Sequence, residues 1–237
     1  DITPDMCTEE PSVVMDKRDG QSYTIKRLAG NCWMVDNLKF TGTEMDSTTT
    51  NIESKYTLDD PYITTYYDAA GAEGYSSDGH CTGSYSDPGF DGTSTLYPCM
   101  RKGSNNYSGG ETVWYNYVSA TAGTITGNEP NLTDAQYDIC PKGWKLPSRS
   151  ESVNASGIAD IALFNPVLGG FYMMGNNSST SNYGFWWTSS TAENSSSTRS
   201  YHYGLYYDVE TGSERLRVLS GFFREGAYYI RCILKES

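Results

Sequence analysis

Six cysteines are the residues of this chain whose chemistry is easiest to assign. No two of them form a Cys-x-x-Cys pair, and only His80 and His202 are available as imidazole ligands, so a structural zinc site is disfavoured. An even number of well-separated cysteines instead indicates disulfides formed in an oxidising compartment, which predicts a secreted or cell-surface protein. Six cysteines allow fifteen pairings, and spacing alone does not choose among them. The cysteines are Cys7, Cys32, Cys81, Cys99, Cys140 and Cys232.

Catalytic chemistry has little support in the sequence. A catalytic triad needs a histidine held by a carboxylate beside a serine or cysteine, and both histidines lie in Tyr- and Gly-rich segments. No Gly-x-Ser-x-Gly, P-loop or Gly-x-Gly-x-x-Gly motif occurs. If all cysteines are paired, no thiolate remains as a nucleophile. We therefore expect that the protein is not an enzyme, and a pair of carboxylates acting on a glycosidic bond is the alternative left open.

Acidic residues crowd a segment rich in Gly and Ser, and their oxygens are ligands that calcium prefers. Because no Asp-x-Asp-x-Asp-Gly loop is present, a solvated acidic loop is the favoured interpretation. We expect no cofactor, with Ca²⁺ as the alternative. The acidic residues are Asp68, Glu73, Asp78, Asp87 and Asp91.

Net charge and composition restrict the class of partner. The formal charge of −12 opposes electrostatic attraction to nucleic acid or to anionic membrane. No apolar run reaches the roughly 18 residues that span a bilayer, so direct membrane insertion is not expected. The 20 Tyr, 24 Gly and five Trp residues are typical of a rigid β-rich surface that binds other molecules. An extracellular protein or carbohydrate is the expected partner.

The C-terminal third contains the best candidate binding surface. In the segment 201–208, side chains of a strand alternate between two faces, so if Leu205 points to the core, Tyr203 does too. The next strand then adds residues to the outer face, and residues 222–225 are expected to form the loop that follows it. Exposed aromatic residues and arginines are typical of binding hot spots, although cross-strand pairs on an ordinary sheet are the alternative. The residues predicted to bind ligand are His202, Tyr206, Asp208, Arg215, Arg217, Leu219, Phe222, Phe223 and Arg224.

Hydrophobic periodicity and capping patterns predict an α+β domain. Segments 19–28 and 32–38 predict a β-hairpin. Capping boxes at 133–136 and 148–151 each predict the start of a helix, the second running to about residue 163. The expected strands that follow are 170–174, 184–189, 201–208, 215–219 and 228–234.

The chain is expected to form a single domain over residues 1–237. Its core would comprise about 16–40 and 112–234, since these segments contain the apolar patterns. Residues about 41–111 are rich in Ser, Thr, Gly, Asp and Tyr and predict a long insertion, which a disulfide would order.

Six motifs occur in a fixed order: Asp19-Gly20, Cys32 to Leu38, Tyr115-Asn116-Tyr117, Cys140 to Ser148, Trp186 to Ser190 and Ile230-Arg231-Cys232. In this set the chain resembles the Fibrobacter succinogenes major paralogous domain. That resemblance implies a C-type-lectin-like fold, with two short helices on twisted antiparallel sheets, displayed at a bacterial surface. We expect the disulfides Cys7–Cys32, Cys81–Cys99 and Cys140–Cys232, because each pair brackets what looks like one structural unit. The third also resembles the long-range bridge of that fold. Trp144, Trp186 and Trp187 are expected to be core residues rather than sugar-stacking platforms.

Domains of this type include variable proteins of diversity-generating retroelements, whose C-terminal segment is mutated at adenines. Residues 200–229 contain the amino-acid types that randomised AAY codons encode. The resemblance therefore implies a diversified ligand-binding face. A polysaccharide-binding or structural cell-envelope domain without diversification is the alternative.

Overall fold

A computed structural model describes part of the chain. Within strands 199–208 and 213–223 it gives the backbone and its pairing, and of the side chains there only that of Val218. The described residues are 4–40, 44–45, 56–57, 100–104, 111–122, 134–156, 164, 171–173, 176–178, 183–192, 199–208, 213–223 and 226–235.

Strands dominate this part of the chain, and helices are few and short. The helices are α1 (Tyr117–Ala120) and α2 (Arg149–Ser156). The strands are β1 (Ser12–Met15), β2 (Ser22–Leu28), β3 (Asn31–Met34), β4 (Glu44–Met45), β5 (Tyr56–Thr57), β6 (Met100–Ser104), β7 (Glu111–Tyr115), β8 (Trp144–Lys145), β9 (Phe171–Met173), β10 (Asn176–Ser178), β11 (Tyr183–Thr191), β12 (Arg199–Asp208), β13 (Ser213–Phe223) and β14 (Ile233–Leu234).

A five-stranded sheet joins the two ends of the described chain. Its strand order is β1-β2-β3-β14-β8, and every pairing in it is antiparallel. The predicted N-terminal hairpin is confirmed as β2–β3, whose turn places Ala29 and Gly30 at positive φ. In β2 the side chains of Tyr23 and Ile25 are buried, as alternation along a half-buried strand requires.

A second antiparallel sheet has the order β11-β12-β13. Its strands include the segments predicted at 184–189, 201–208 and 215–219, but β13 extends to Phe223. The prediction that Phe222 and Phe223 lie in a loop is therefore wrong: they pair with Ser200 and Arg199, beyond a register shift that lets the hairpin continue. The strand predicted over 228–234 is also interrupted, since isolated bridges at Tyr228 and Tyr229 precede β14.

One of the two predicted capping boxes forms. The Ser148 amide donates to the Glu151 carboxylate (2.7 Å) and the Glu151 amide donates to the Ser148 hydroxyl (3.3 Å), at the start of α2. The helix predicted to begin at 133 is wrong, because Asp134 forms a β-bridge with Ser190 and the Ala135 amide donates to the Ser189 carbonyl. Pairing with β11 replaces the helix there. The remainder of the second predicted helix, residues 157–163, lies outside the described residues.

Predominantly antiparallel sheets with two short helices are compatible with the predicted α+β class.

Strand β6 lies inside the predicted insertion and pairs with β7, so the end of that segment joins the regular structure. In the part of the chain that the structure describes, no helix has the length and apolar character needed to cross a bilayer.

Buried side chains form two clusters. The larger core contains both described disulfides, Cys7–Cys32 and Cys140–Cys232, which are two of the three expected pairings. Cys81 and Cys99 lie outside the described residues, so their pairing stays a prediction. The smaller core contains Leu28, Trp33, Val35, Trp114, Phe164, Trp186, Ala227, Tyr229 and Ile233.

Candidate functional site

Strand β11 is the anchor of the sheet that contains the predicted binding residues. Trp187 belongs to the larger core, where its ring stacks on Tyr228 with centroids 4.2 Å apart and meets the edge of Tyr117 at 5.1 Å. Its indole N–H donates to the Tyr115 carbonyl at 2.8 Å. This buried polar atom is therefore satisfied, and the ring is fixed in position and orientation.

Trp186, the next residue, belongs to the smaller core on the other side of the strand. Its ring centroid lies 5.9 Å from that of Phe164 and 6.0 Å from that of Tyr229. Its indole N–H donates to Asn37 Oδ1 at 2.7 Å. Both tryptophans are 0% exposed, so neither offers a face to a sugar ring. The prediction that Trp144, Trp186 and Trp187 are core residues is confirmed.

Arg231 is a fully buried cation in the same cluster. Its Nε donates to Asn37 Oδ1 at 2.9 Å, and its guanidinium donates to the Phe164 carbonyl. The guanidinium carbon lies 4.4 Å from the Phe164 ring centroid and 4.9 Å from that of Trp186, within range of cation–π attraction. One amide oxygen thus links the segment before β14 to β11.

Main-chain hydrogen bonds fix β11 on both sides. The Ser189 amide donates to the Pro147 carbonyl at 2.8 Å, and Trp187 and Tyr229 are linked by a main-chain bond of 3.1 Å. The Tyr229 amide in turn donates to the Phe185 carbonyl at 3.0 Å. Because ladder bonds and side-chain bonds act together, this strand has little freedom to move or to accept substitution.

Strands β12 and β13 extend the sheet away from this anchor. Their register places predicted binding residues from separate parts of the sequence side by side: Tyr206 opposite Arg215, His202 opposite Leu219, and Asp208 opposite Ser213. Arg217 lies opposite Gly204, where the strand has no side chain. All six of these predicted positions on the two strands belong to one alternating set, and hence to one face of the sheet.

In the other alternating set of β12 and β13, the one described side chain is that of Val218, and it faces the core. Val218 is half-buried and packs against the smaller core, and its register neighbours across the sheet are Tyr203 and then Trp186. The row that runs from Trp186 to Val218 therefore lies on the face of the smaller core, and the row from Trp187 through His202 to Leu219 begins on the face of the larger core. The expected inward direction of the Tyr203 side chain stays a prediction.

The alternating set that contains His202, Tyr206 and Asp208 is called the outer set, and its rows differ in their distance from β11. His202 lies opposite the buried Trp187, and Gly204 lies opposite the buried Phe185. Tyr206 pairs with Tyr183, the first residue of β11, and the row of Asp208 and Ser213 lies beyond the end of that strand. The hairpin end of β12–β13 is therefore the part of the sheet that lies farthest from the rows paired with buried residues of β11.

Some predicted site residues lie outside the described residues. They are Arg224, Cys81, Cys99 and the five candidate calcium ligands. The structure describes only the backbone of the other predicted ligand residues, so the whole binding site stays a prediction. Among the described residues, no group of three or more His, Cys, Asp or Glu side chains is placed to hold a metal ion.

Two buried polar residues that organise this region were not singled out by sequence reasoning. Asn37 is one, and its position within the Cys32-to-Leu38 motif was the only signal. Asp138 is the other: its carboxylate accepts from the amides of Cys140 (2.9 Å) and Leu146 (3.0 Å). Burial raises the pKa of Asp138 to about 6, although these two hydrogen bonds oppose the shift.

Comparison with protein families, with curated proteins and with solved structures found no match to this chain. The family resemblance drawn from the motifs therefore stays a prediction, and the site is described by its own geometry.

Proposed function

We propose that this protein is a secreted or surface-displayed binding protein on a C-type-lectin-like scaffold of the Fibrobacter succinogenes major paralogous domain type. The burial of the motif residues supports the proposal. Trp144, Trp186, Arg231 and the Cys140–Cys232 disulfide all lie in the interior, where they hold the scaffold together. The motifs that suggest the family are thus structural rather than catalytic, and the proposal assigns no catalytic residue.

One observation carries the assignment of the binding face. Strand β11 is buried on both sides, whereas β12 and β13 continue the sheet beyond it with six of the nine predicted ligand residues in one alternating set. A rigid strand behind a face of Tyr, Arg, His and Asp suits recognition, because preorganised side chains lose little entropy on binding. The ligand would be a protein or a glycan, held by Tyr206, Asp208, Arg215 and Arg217 at the centre of the face.

Diversification by a retroelement deepens this proposal. The chain would then be a variable protein, with substitutions concentrated between residues 200 and 229. An anchored scaffold separates positions that hold the fold from positions free to change, which is the property that repeated mutagenesis demands.

Sequencing the gene in many isolates of one strain tests the proposal. We expect substitutions confined to adenines in codons of the outer set, together with a nearby reverse transcriptase gene and an imperfect repeat of the 3′ coding segment. Substitutions spread evenly over all bases and along the whole chain would contradict diversification. In that case a polysaccharide-binding or structural envelope role would replace it, and binding of the purified chain to immobilised cell-wall glycans would distinguish those two.

A further inference from the structure

Strand β1 forms one edge of the five-stranded sheet, and it exposes apolar side chains. Val13 is 71% exposed and Met15 is 63% exposed, on the same face of the strand. Val14, between them, is partly buried and packs against the larger core. Exposed apolar residues on an edge strand are unusual, because such edges promote pairing with another chain.

The main-chain groups of Val13 and Met15 point to the open edge. The Asp16 amide donates to the Gln21 carbonyl at 2.8 Å, so Asp16, Val14 and Ser12 are the residues of β1 that bond to β2. Thr24, opposite Val13, uses its amide and carbonyl on the β3 side instead, with Asp36 and Val35. Within the described residues, nothing is hydrogen-bonded to the outer edge of β1.

Some charges that flank β1 are complementary to those of a second, antiparallel copy of the strand. The exposed Glu9 and Glu10 precede the strand, and the exposed Lys17 and Asp19 follow it. Arg18, between them, is paired with Asp16 of its own chain. When Val13 lies opposite Met15 of a second antiparallel copy, Lys17 lies diagonally across from Glu9 of that copy, which gives one complementary pair at each end, although Asp19 adds a like charge there. The charge pattern therefore favours a second copy of this chain over an acidic or a basic foreign strand.

We propose that β1 is a self-association edge, through which two copies form a continuous ten-stranded sheet about a two-fold axis at Val14. Val13 of each copy then pairs with Met15 of the other, and each pair exchanges two main-chain hydrogen bonds. All four exposed apolar side chains come together on one face of the joined sheet. Because a four-residue strand presents a small contact area, association is weak and depends on concentration.

Sedimentation over a micromolar to millimolar concentration series tests this inference. Val13→Pro removes the outward N–H without touching the bonds to β2, and Val13→Thr keeps that N–H in a side chain of the same shape. We expect the parent and Val13→Thr to dimerise and Val13→Pro to remain monomeric. Far-UV circular dichroism and the melting temperature of the monomer should match across all three proteins, which separates loss of pairing from loss of fold.

Charge reversal provides the second arm. Lys17→Glu should weaken dimerisation, and combining it with Glu9→Lys and Glu10→Lys should restore it, most clearly at low salt. A parent that stays monomeric at millimolar concentration would overturn the proposal. A dimer that is insensitive to Val13→Pro and to Lys17→Glu would do so as well, since its contact would lie on another surface.

Discussion

Strand β11 and the β12–β13 hairpin belong to one sheet, but they differ in the roles that we propose for them. On β11, adjacent tryptophans enter two separate cores, and each indole N–H has a buried acceptor. On the outer strands, the described contact with the core is that of the half-buried Val218. Under the proposed function, β11 contributes stability to the scaffold and one face of β12 and β13 contacts the ligand.

Replacing Trp187 by Ala should produce the largest effect, because it removes the stacked contact with Tyr228 and leaves a cavity in the larger core. We expect a loss of about 3–5 kcal/mol in the free energy of unfolding. Urea denaturation measures it, with Trp187→Phe as the control that retains an aromatic ring. A Trp187→Ala protein with unchanged stability would show that β11 is not the anchor.

Asn37→Ala should be the next most damaging change. It removes the oxygen that accepts from both Trp186 and Arg231, and it leaves these buried donors, one of them charged, short of an acceptor. We expect a cost of about 2–3 kcal/mol. Asn116→Ala is the matched control, since that buried asparagine caps α1 by accepting from Ser119, a contribution of about 1 kcal/mol. Equal costs for the two variants would contradict the role given to Asn37.

The carboxylates of Asp138 and Glu151 should change the pH dependence of stability in opposite directions. Burial raises the pKa of Asp138 from 3.8 to about 6, so the folded state holds a proton that the unfolded state loses between about pH 4 and pH 6. Stability from this group therefore falls as pH rises through that window. Asp138→Asn should remove this fall, as measured by unfolding free energies at a series of pH values.

Glu151 provides the opposite case. Burial acts to raise its pKa, but hydrogen bonds from Lys145 and Ser148 outweigh burial and lower it. Its contribution is present above the unfolded pKa and lost as pH falls through the folded pKa. Glu151→Gln should therefore cost more stability at neutral pH than in acid. If both variants shift the pH profile in the same direction, the assigned causes are wrong.

Sequence patterns predicted the features that depend on local chemistry. The Ser148–Glu151 box and the β2–β3 hairpin form because their partners lie within a few residues. The box at Thr133 failed because Asp134 and Ala135 pair with β11, a contact about 55 residues away that no local pattern encodes. Asn37 was missed for the same reason, because its donors Trp186 and Arg231 are far away in the sequence. Asp138 is different: it accepts from the nearby amides of Cys140 and Leu146, and no motif that we recognised marks such a carboxylate.

The end of β13 shows the same limit in the candidate site. Aromatic residues after Gly221 resemble a loop in sequence, yet a register shift allows Phe222 and Phe223 to continue the pairing with β12. Alternation predicted which positions of the two strands share a face. It did not reveal that the rows differ in their distance from the buried strand, since that depends on where β11 begins.

The most direct test of the central claim compares two libraries of this chain, scored for folding by protease resistance. One randomises Tyr206, Asp208, Arg215 and Arg217, and the other randomises Tyr203, Leu205 and Ile230, of which Ile230 is fully buried. We predict that most members of the first library fold, with costs within about 1 kcal/mol per position, and that most members of the second do not. Equal failure in both libraries would contradict the account, because the proposed binding face would then be part of the core.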